Sequence, residues 1–98
     1  MEEDKLNCLN SLNDVIELET GIPAIKLGLI RYEVKDDILL IYYRPISSYT
    51  PQFLVIALGL QIVKSLLNSN CKFKIFLENF YLADEINKRL EEIVSEFK

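Results

Sequence analysis

The chain has 98 residues, half of them apolar, with a formal net charge of −4 and no histidine. That length suits one domain with enough apolar side chains to form a core. The acidic balance argues against a nucleic-acid binder, which normally presents a basic face to phosphate. The lack of histidine excludes imidazole metal ligands, histidine general bases, and Ser/His/Asp or Cys/His triads.

The sequence carries no recognisable targeting or membrane-spanning segment. Residues 1–4 are acidic, whereas a signal peptide starts with basic residues. The longest strongly apolar run, residues 53–60, is far too short to cross a bilayer, and Gln61 and Lys64 follow it. We therefore expect a soluble, cytoplasmic protein that binds neither membranes nor nucleic acid.

Two cysteines, Cys8 and Cys71, are the only thiols in the chain. Their spacing matches no metal-binding or redox motif, and an isolated pair does not make a disulfide framework. Cys8 lies beside the apolar stripe of the first predicted helix, so we interpret it as a small packing residue.

Three segments show the three-to-four spacing of apolar residues that is typical of amphipathic helices. They cover about residues 5–18, residues 51–68 and the last stretch from about residue 83. The second is the most apolar, and its broad apolar surface predicts either deep burial or contact with another subunit. The apolar positions that define the three helices are Leu6, Leu9, Leu12 and Ile16; Leu54, Leu58, Ile62 and Leu66; and Ile86, Leu90, Ile93 and Phe97.

Three further segments read as strands. Residues 24–34 and 38–44 form a predicted hairpin around a polar turn, and Gly28 within the first suggests a bulge or a close backbone approach. The second strand is apolar on both faces, as expected of an inner strand. Residues 72–78 alternate between apolar and polar side chains. The predicted fold is α+β, a two-layer α-β-β-α-β-α sandwich, with residues 1–98 as a single domain.

The loop at residues 44–51 joins the second strand to the most apolar helix and is the first place to look for function. Thr50 is a good N-cap residue, and Pro51 suits the first helical position. The backbone N–H groups after Pro51 would make this end mildly positive. The simpler interpretation is a well-capped turn. Three tyrosines near the loop are interpreted as amphipathic packing residues: Tyr42, Tyr43 and Tyr49.

Two acidic elements are candidates for a catalytic or metal-binding role. The sequence Glu33-Val34-Lys35 matches the acid-x-Lys element of metal-dependent nucleases, which needs a further acidic ligand. Its simpler interpretation is a solvated turn. Glu17 and Glu19 could form a carboxylate pair, but residues two apart at a helix end do not share a face. We therefore predict that both are surface charges.

Residues 15–30 resemble the opening signature of the PaaD/SufT-like iron–sulfur cluster assembly domains, also described as FSCA-like domains. That signature reads approximately V-x-D-P-E-x-G-x-x-[IV]-x-D-L-G-L-[IV]. The positions that match in order and spacing are Glu19, Gly21, Leu27, Gly28, Leu29 and Ile30. The resemblance extends over about residues 6–90 and implies an FSCA-like fold.

The family's loop before its main helix reads approximately T-S-P-G-C-P and aligns with residues 46–51. Ser47 and Pro51 match, whereas the family's cysteine, which serves cluster assembly or transfer, falls at Thr50. A hydroxyl is a poor ligand for a soft metal compared with a thiolate. The functional position of the family corresponds here to Ser47, Ser48, Tyr49, Thr50 and Pro51. Cys71 is the one candidate for a relocated metal ligand.

The resemblance implies an accessory factor in the maturation of iron–sulfur proteins. Such a factor would contact a P-loop ATPase scaffold or an apo-target protein, without catalysis and without holding a cluster itself. We expect no cofactor, and an iron–sulfur cluster is the alternative that the resemblance suggests. The alternative function is a non-catalytic interaction or oligomerisation module, such as a homodimer, that kept the fold and lost the metal chemistry.

Overall fold

The computed structural model describes residues 2–97, with side chains from residue 5 onward. Three helices and three strands follow one another in the predicted order α-β-β-α-β-α. The elements are α1 (Glu2–Ser11), a 3-10 turn (Leu12–Asp14), β1 (Ile30–Lys35), β2 (Ile38–Tyr43), α2 (Gln52–Asn68), β3 (Phe73–Leu77) and α3 (Ala83–Glu96). The α+β class predicted from the sequence is confirmed.

The three strands form one mixed sheet in the order β1-β2-β3. β1 and β2 are antiparallel and are joined by Asp36 and Asp37, whose φ angles are 52° and 65°. Positive φ at both central residues is what a tight hairpin turn of the primed type requires. β3 runs parallel to β2. The central position of β2 explains why its side chains are apolar on both faces.

The buried side chains form one cluster, and they alternate along β2 and β3. Leu39, Ile41 and Tyr43 of β2 are buried, and so are alternate residues of β3. Helices α2 and α3 both contact β3 and contribute buried residues to the same cluster. The opposite face of the sheet is called the open face below. It carries Arg31, Glu33, Leu40, Tyr42, Lys74 and Phe76.

The apolar stripe of α2 packs inside the chain. Leu58, Ile62 and Leu66 are buried, and they belong to the common cluster. This stripe is therefore part of the core, which is the first of the two predicted alternatives, deep burial. Phe53, in the first turn of the same helix, is 70% exposed.

The first predicted helix is shorter than its apolar spacing suggests. α1 ends at Ser11, and the 3-10 turn over residues 12–14 continues into extended backbone. The amide of Gln61 in α2 holds that extended backbone, because its Oε1 accepts from the Ile16 N–H at 3.0 Å and its Nε2 donates to the Ile16 carbonyl at 2.8 Å. If the helix continued through Ile16, the Ile16 N–H and carbonyl would bond within the helix and would not be available to the Gln61 side chain.

The first predicted strand begins later than residue 24. Residues 24–28 form a turn, and only Ile30–Lys35 pairs with β2. Ala24 and Leu29 at the two ends of the turn are buried, and the Leu29 N–H donates to the Ala24 carbonyl at 3.1 Å. The apolar alternation that suggested a strand therefore comes from a turn with both ends in the core.

Candidate functional site

The predicted functional loop lies at one end of the sheet, called the loop end below. Residues 44–51 follow β2 and residues 78–82 follow β3, and these strands are parallel, so both loops leave the sheet at the same end. The Glu78 N–H donates to the Tyr43 carbonyl at 2.8 Å. The Arg44 N–H donates to the Leu29 carbonyl at 3.0 Å, which brings the segment before β1 to the same end. Such ends are common sites of function in α/β sheets.

The hydroxyl groups of the loop hold the loop itself. Thr50 Oγ1 accepts from the Ser47 N–H at 3.3 Å, and the Thr50 N–H donates to the Ser47 carbonyl at 3.1 Å. Ser47 Oγ accepts from the Tyr49 N–H at 3.1 Å. Thr50 is buried, whereas Ser48 is exposed. Ser47 and Thr50 are therefore engaged in the backbone turn of the loop.

Thr50 does not cap α2, contrary to the prediction. The helix begins at Gln52, Pro51 is the N-cap residue, and no side chain makes a capping hydrogen bond. The Pro51 carbonyl accepts from the N–H groups of Leu54 and Val55, at 2.9 and 3.2 Å. The Thr50 hydroxyl is directed back to Ser47, which is why it does not reach the first turn of the helix.

Large apolar side chains project from the loop and the first turn of α2. Tyr49 is 92% exposed, Phe53 is 70% exposed, and Ile46 is also exposed. Tyr81, in the loop after β3, is exposed as well. Exposed apolar side chains of this size, grouped on neighbouring loops, are typical of a protein-contact surface. The loop end therefore presents several large exposed apolar side chains, most of them aromatic.

The three tyrosines predicted to pack near the loop have three different environments. Tyr49 is exposed, whereas Tyr42 lies on the open face, stacked on Phe76 with ring centroids 5.3 Å apart. Tyr43 is buried, and its hydroxyl donates to the Val55 carbonyl of α2 at 3.1 Å. Burial raises the pKa of the Tyr43 phenol far above its usual value. Tyr43 thus anchors the end of β2 to α2 and fixes where the loop starts.

Glu17 lies within the segment that resembles the family signature but does not match it, and its side chain has a structural role. Glu17 is buried, and its carboxylate accepts from the N–H groups of Glu19 and Thr20 at 3.0 and 2.7 Å. Burial raises the pKa of this carboxyl, but the hydrogen bonds from Glu19 and Thr20 outweigh it, so the pKa lies below its ordinary value. The prediction that Glu17 is a surface charge is wrong, whereas Glu19 is exposed.

The two signature glycines provide left-handed backbone. Gly21 has φ of 72° and closes the turn made by Glu17, whose carbonyl accepts from the Gly21 N–H at 2.8 Å. Gly28 has φ of 70°, and a side chain there would meet no atom within 4 Å. Gly28 is therefore required for its backbone conformation, and the predicted bulge or close approach is wrong. Leu27, between them, is partly buried against the core.

A shallow pocket of about 200 Å³ lies at the loop end. Its floor is the paired ends of β1 and β2, and the carbonyl of Gly28 accepts from the Arg44 guanidinium at 3.4 Å. The pocket is lined by Gly28, Leu29, Arg31, Tyr42, Tyr43, Arg44, Glu78 and Asn79. Signature residue Gly28 and the start of the predicted loop therefore do come together.

Cys71 lies at the opposite end of the sheet and cannot serve the loop. It precedes Phe73, the first residue of β3, whereas the loop follows the last residue of the parallel strand β2. Its sulfur is bonded to that of Cys8 in a disulfide, with the two Cα atoms 6.1 Å apart. Cys8 is buried in the core, as expected of a packing residue, and its pairing leaves Cys71 without the free thiolate that a metal ligand needs. The sequence separation of 63 hides the pairing from an argument based on local spacing.

The acid-x-Lys element lies along β1, and the expected hairpin turn starts after it. Glu33 Oε1 accepts from the Tyr42 hydroxyl at 2.9 Å, which raises the pKa of the Tyr42 phenol. Residues 5–97 contain no cluster of three or more Cys, Asp or Glu side chains arranged to hold a metal ion. The nuclease hypothesis therefore gains no support from the described residues.

Searches against protein-family models, curated proteins and solved structures each found no match to this chain. None of the helices described within residues 2–97 has both the length and the apolar character needed to cross a membrane.

The residues at the loop end do not fit an iron–sulfur cluster. Clusters are held by thiolates, with histidine as the usual replacement, and the chain has no histidine. The position of the family's loop cysteine is taken by Thr50, whose hydroxyl is engaged with Ser47. The two cysteine sulfurs are bonded to each other away from the loop.

Proposed function

We propose that this chain acts by protein contact through the loop end, without catalysis and without holding a metal cluster. The observation that supports this is the exposure of Tyr49 and Phe53 beside a loop in which the Ser47 and Thr50 side chains are hydrogen-bonded internally. Tyrosine and phenylalanine are enriched where proteins meet, because they bury large areas at a small entropic cost.

The partner that we propose comes from the resemblance to PaaD/SufT-like domains. It is a component of iron–sulfur protein maturation, either a P-loop ATPase scaffold or an apo-target protein. In this proposal the chain has an FSCA-like fold and works as an accessory factor, with Gly28 shaping the pocket and residues 46–51 forming the contact loop. The fold class and the position of the loop at the carboxyl ends of parallel strands are compatible with that proposal.

Alanine substitutions at the loop end test the contact. Binding of the purified P-loop scaffold and of an apo-target would be measured by calorimetry with the unchanged chain, Tyr49→Ala and Phe53→Ala. We expect either substitution to weaken binding by about tenfold or more, as for aromatic hot spots. Phe97→Ala is the matched control, because Phe97 is 69% exposed and Phe53 is 70% exposed. Equal loss with Phe97→Ala, or no binding of either partner, would contradict the proposal.

Anaerobic reconstitution tests the absence of a cluster. Iron and acid-labile sulfide would be measured per chain for the unchanged protein and for Thr50→Cys, which restores the family's thiolate. We expect no stoichiometric iron in the unchanged chain and a gain in Thr50→Cys. Stoichiometric iron in the unchanged chain would overturn the contact-only function, and no gain in Thr50→Cys would count against the alignment of the loop with the family.

A second candidate function is supported by a different surface. Tyr32 and Val34 of β1 are 55% and 46% exposed, although their cross-strand neighbours in β2 are buried. An apolar row on an edge strand favours a self-associating module that kept the fold and lost the metal chemistry.

A further inference from the structure

The outer edge of β1 is unoccupied by any other part of residues 2–97. The Arg44 N–H donates to the Leu29 carbonyl, and in an antiparallel pair every second residue hydrogen-bonds to the neighbouring strand. Counting from Leu29, the β1 residues that bond to β2 are therefore Arg31, Glu33 and Lys35. The backbone groups of the intervening residues therefore point away from the sheet. Those residues are Ile30, Tyr32 and Val34.

The opposite edge of the sheet is protected at the end of β3. The side-chain amide of Asn87 in α3 binds the backbone of Leu77 in β3, with Oδ1 accepting from the N–H at 2.6 Å and Nδ2 donating to the carbonyl at 3.1 Å. An amide in this position occupies the groups that a further strand would use. β1 has no such protection, and no proline or bulge interrupts it.

We propose that two copies of this chain pair antiparallel through their β1 strands, with Tyr32 opposite Tyr32 of the partner. The two three-stranded sheets would then join into one six-stranded sheet about a two-fold axis. In this register, each Tyr32 exchanges both backbone hydrogen bonds with its copy, and Ile30 does the same with Val34 of the partner subunit. The inference deepens the second candidate function and rests on it.

Charge complementarity selects this register. With Tyr32 at the centre, Arg31 faces Glu33 of the partner subunit on the open face, and Glu33 faces Arg31 of the partner subunit. Centring the pair on Arg31 or on Glu33 would place like charges directly opposite each other, which is unfavourable. Centring it on Val34 would bring the turn residues into the pairing and shorten the overlap.

The apolar side of β1 also gains a partner in this arrangement. Ile30, Tyr32 and Val34 lie opposite Tyr43, Ile41 and Leu39, and therefore on the face of the sheet that carries the core. The β2 residues are buried, whereas Tyr32 and Val34 are about half exposed. Pairing would place an equivalent apolar row from the second copy beside this one. Pairing would thus bring charged side chains of the two copies together on the open face and apolar side chains together on the face that carries the core.

Intramolecular contacts hold the two charged side chains in place before any pairing. The Arg31 guanidinium lies 4.0 Å from the centroid of the Tyr42 ring, and its Nη2 is 2.5 Å from Glu78 Oε1. The Tyr42 hydroxyl donates to Glu33 at 2.9 Å. Side chains that are already ordered lose less conformational entropy when they meet a partner.

A charge-exchange series tests the pairing. Sedimentation equilibrium would be measured for the unchanged chain, Arg31→Glu, the double variant Arg31→Glu/Glu33→Arg, and Lys74→Glu. We expect the unchanged chain to reach twice its 11.4 kDa mass with increasing concentration. Arg31→Glu should weaken association by about tenfold or more, and the double variant should restore it. Lys74→Glu is the matched control, because it makes the same charge change on the open face of β3.

The double variant makes the test specific. It does not restore the Arg31–Glu78 pair, so recovery of the dimer can come only from the exchanged charges across the two β1 strands. In the register centred on Val34, the new arginine would face Lys35 of the partner subunit, and association would not recover. Circular dichroism confirms that each variant is folded before its mass is interpreted.

The remaining outcomes distinguish failure of the β1 pairing from failure of self-association as a whole. A chain that is monomeric at all concentrations overturns both the β1 pairing and the self-association function. A dimer that is unaffected by Arg31→Glu, or that is weakened equally by Lys74→Glu, overturns the β1 pairing and leaves self-association standing. Neither result bears on the loop-end contact, which is measured with Tyr49→Ala and Phe53→Ala.

Discussion

The disulfide between Cys8 and Cys71 should be a major contributor to the stability of this small domain. It joins α1 to the start of β3 across 63 residues. Closing a loop of that length restricts the unfolded chain, and the loop-entropy relation gives about 4 kcal/mol at 25 °C. A domain of this size has a total stability on the order of 5–15 kcal/mol, so breaking the bond should remove a large share of it.

Urea unfolding of the oxidised protein, the reduced protein and three variants measures this contribution. With a slope of about 2 kcal/mol per M, the midpoint should fall by roughly 2 M on reduction. Cys8→Ala, Cys71→Ala and the double variant should unfold at similar midpoints, because each removes the same covalent link. Reduced and oxidised proteins that unfold within about 0.5 kcal/mol of each other would refute the reasoning, as would single variants whose effects add in the double variant.

Three other substitutions give separate checks on the fold. Glu17→Gln should cost about 1–2 kcal/mol at neutral pH, because the buried carboxylate accepts two backbone N–H bonds. Since its pKa is lowered from 4.5, the unchanged protein should lose stability as the pH falls below that value and Glu17→Gln should lose less; parallel pH profiles would contradict this. Gly59→Ala should destabilise the protein by about 1–3 kcal/mol, since a Cβ there would lie 2.5 Å from the Tyr43 hydroxyl oxygen. Adding Tyr43→Phe to Gly59→Ala should recover part of that loss, as measured by thermal unfolding. Thr50→Ala should cost about 1 kcal/mol and Thr50→Ser much less, because the hydroxyl binds the Ser47 N–H; equal costs would exclude that role.

The disulfide also bears on where the protein folds. Disulfides persist mainly in oxidising compartments and are rare in the cytosol of most organisms. The cytoplasmic location expected from the sequence therefore stays a prediction. Counting reactive thiols in the denatured protein, taken directly from cells under acid quench, would separate a bonded pair from two free cysteines in its natural setting.

The order of the elements could be predicted because it depends on local periodicity. Leu58, Ile62 and Leu66 recur at helical spacing and are buried, and the alternation in β3 identifies its inward residues. The predictions failed where a distant side chain holds the backbone. Gln61 keeps Ile16 extended where apolar spacing suggested helix, and the Thr50 hydroxyl binds Ser47 where its residue type suggested a cap.

The candidate site could be located from the sequence, but its chemistry could not be assigned. A strand followed by small hydroxyl residues and a proline at a helix start placed the loop correctly, and Gly28 does lie near it. Glu17 was misjudged because burial of a carboxylate depends on the turn that folds around it. Phe53 and Tyr32 sit in patterns that normally mark core positions, yet both are exposed.

The α+β class, the central position of β2 and the place of the loop could be read from the sequence, because each depends on residues that are contiguous along the chain. The pairing of Cys8 with Cys71, the contact of Asn87 with the end of β3 and the open edge of β1 are seen only in the folded chain. Those features depend on residues that are brought together by packing, and no local spacing encodes them.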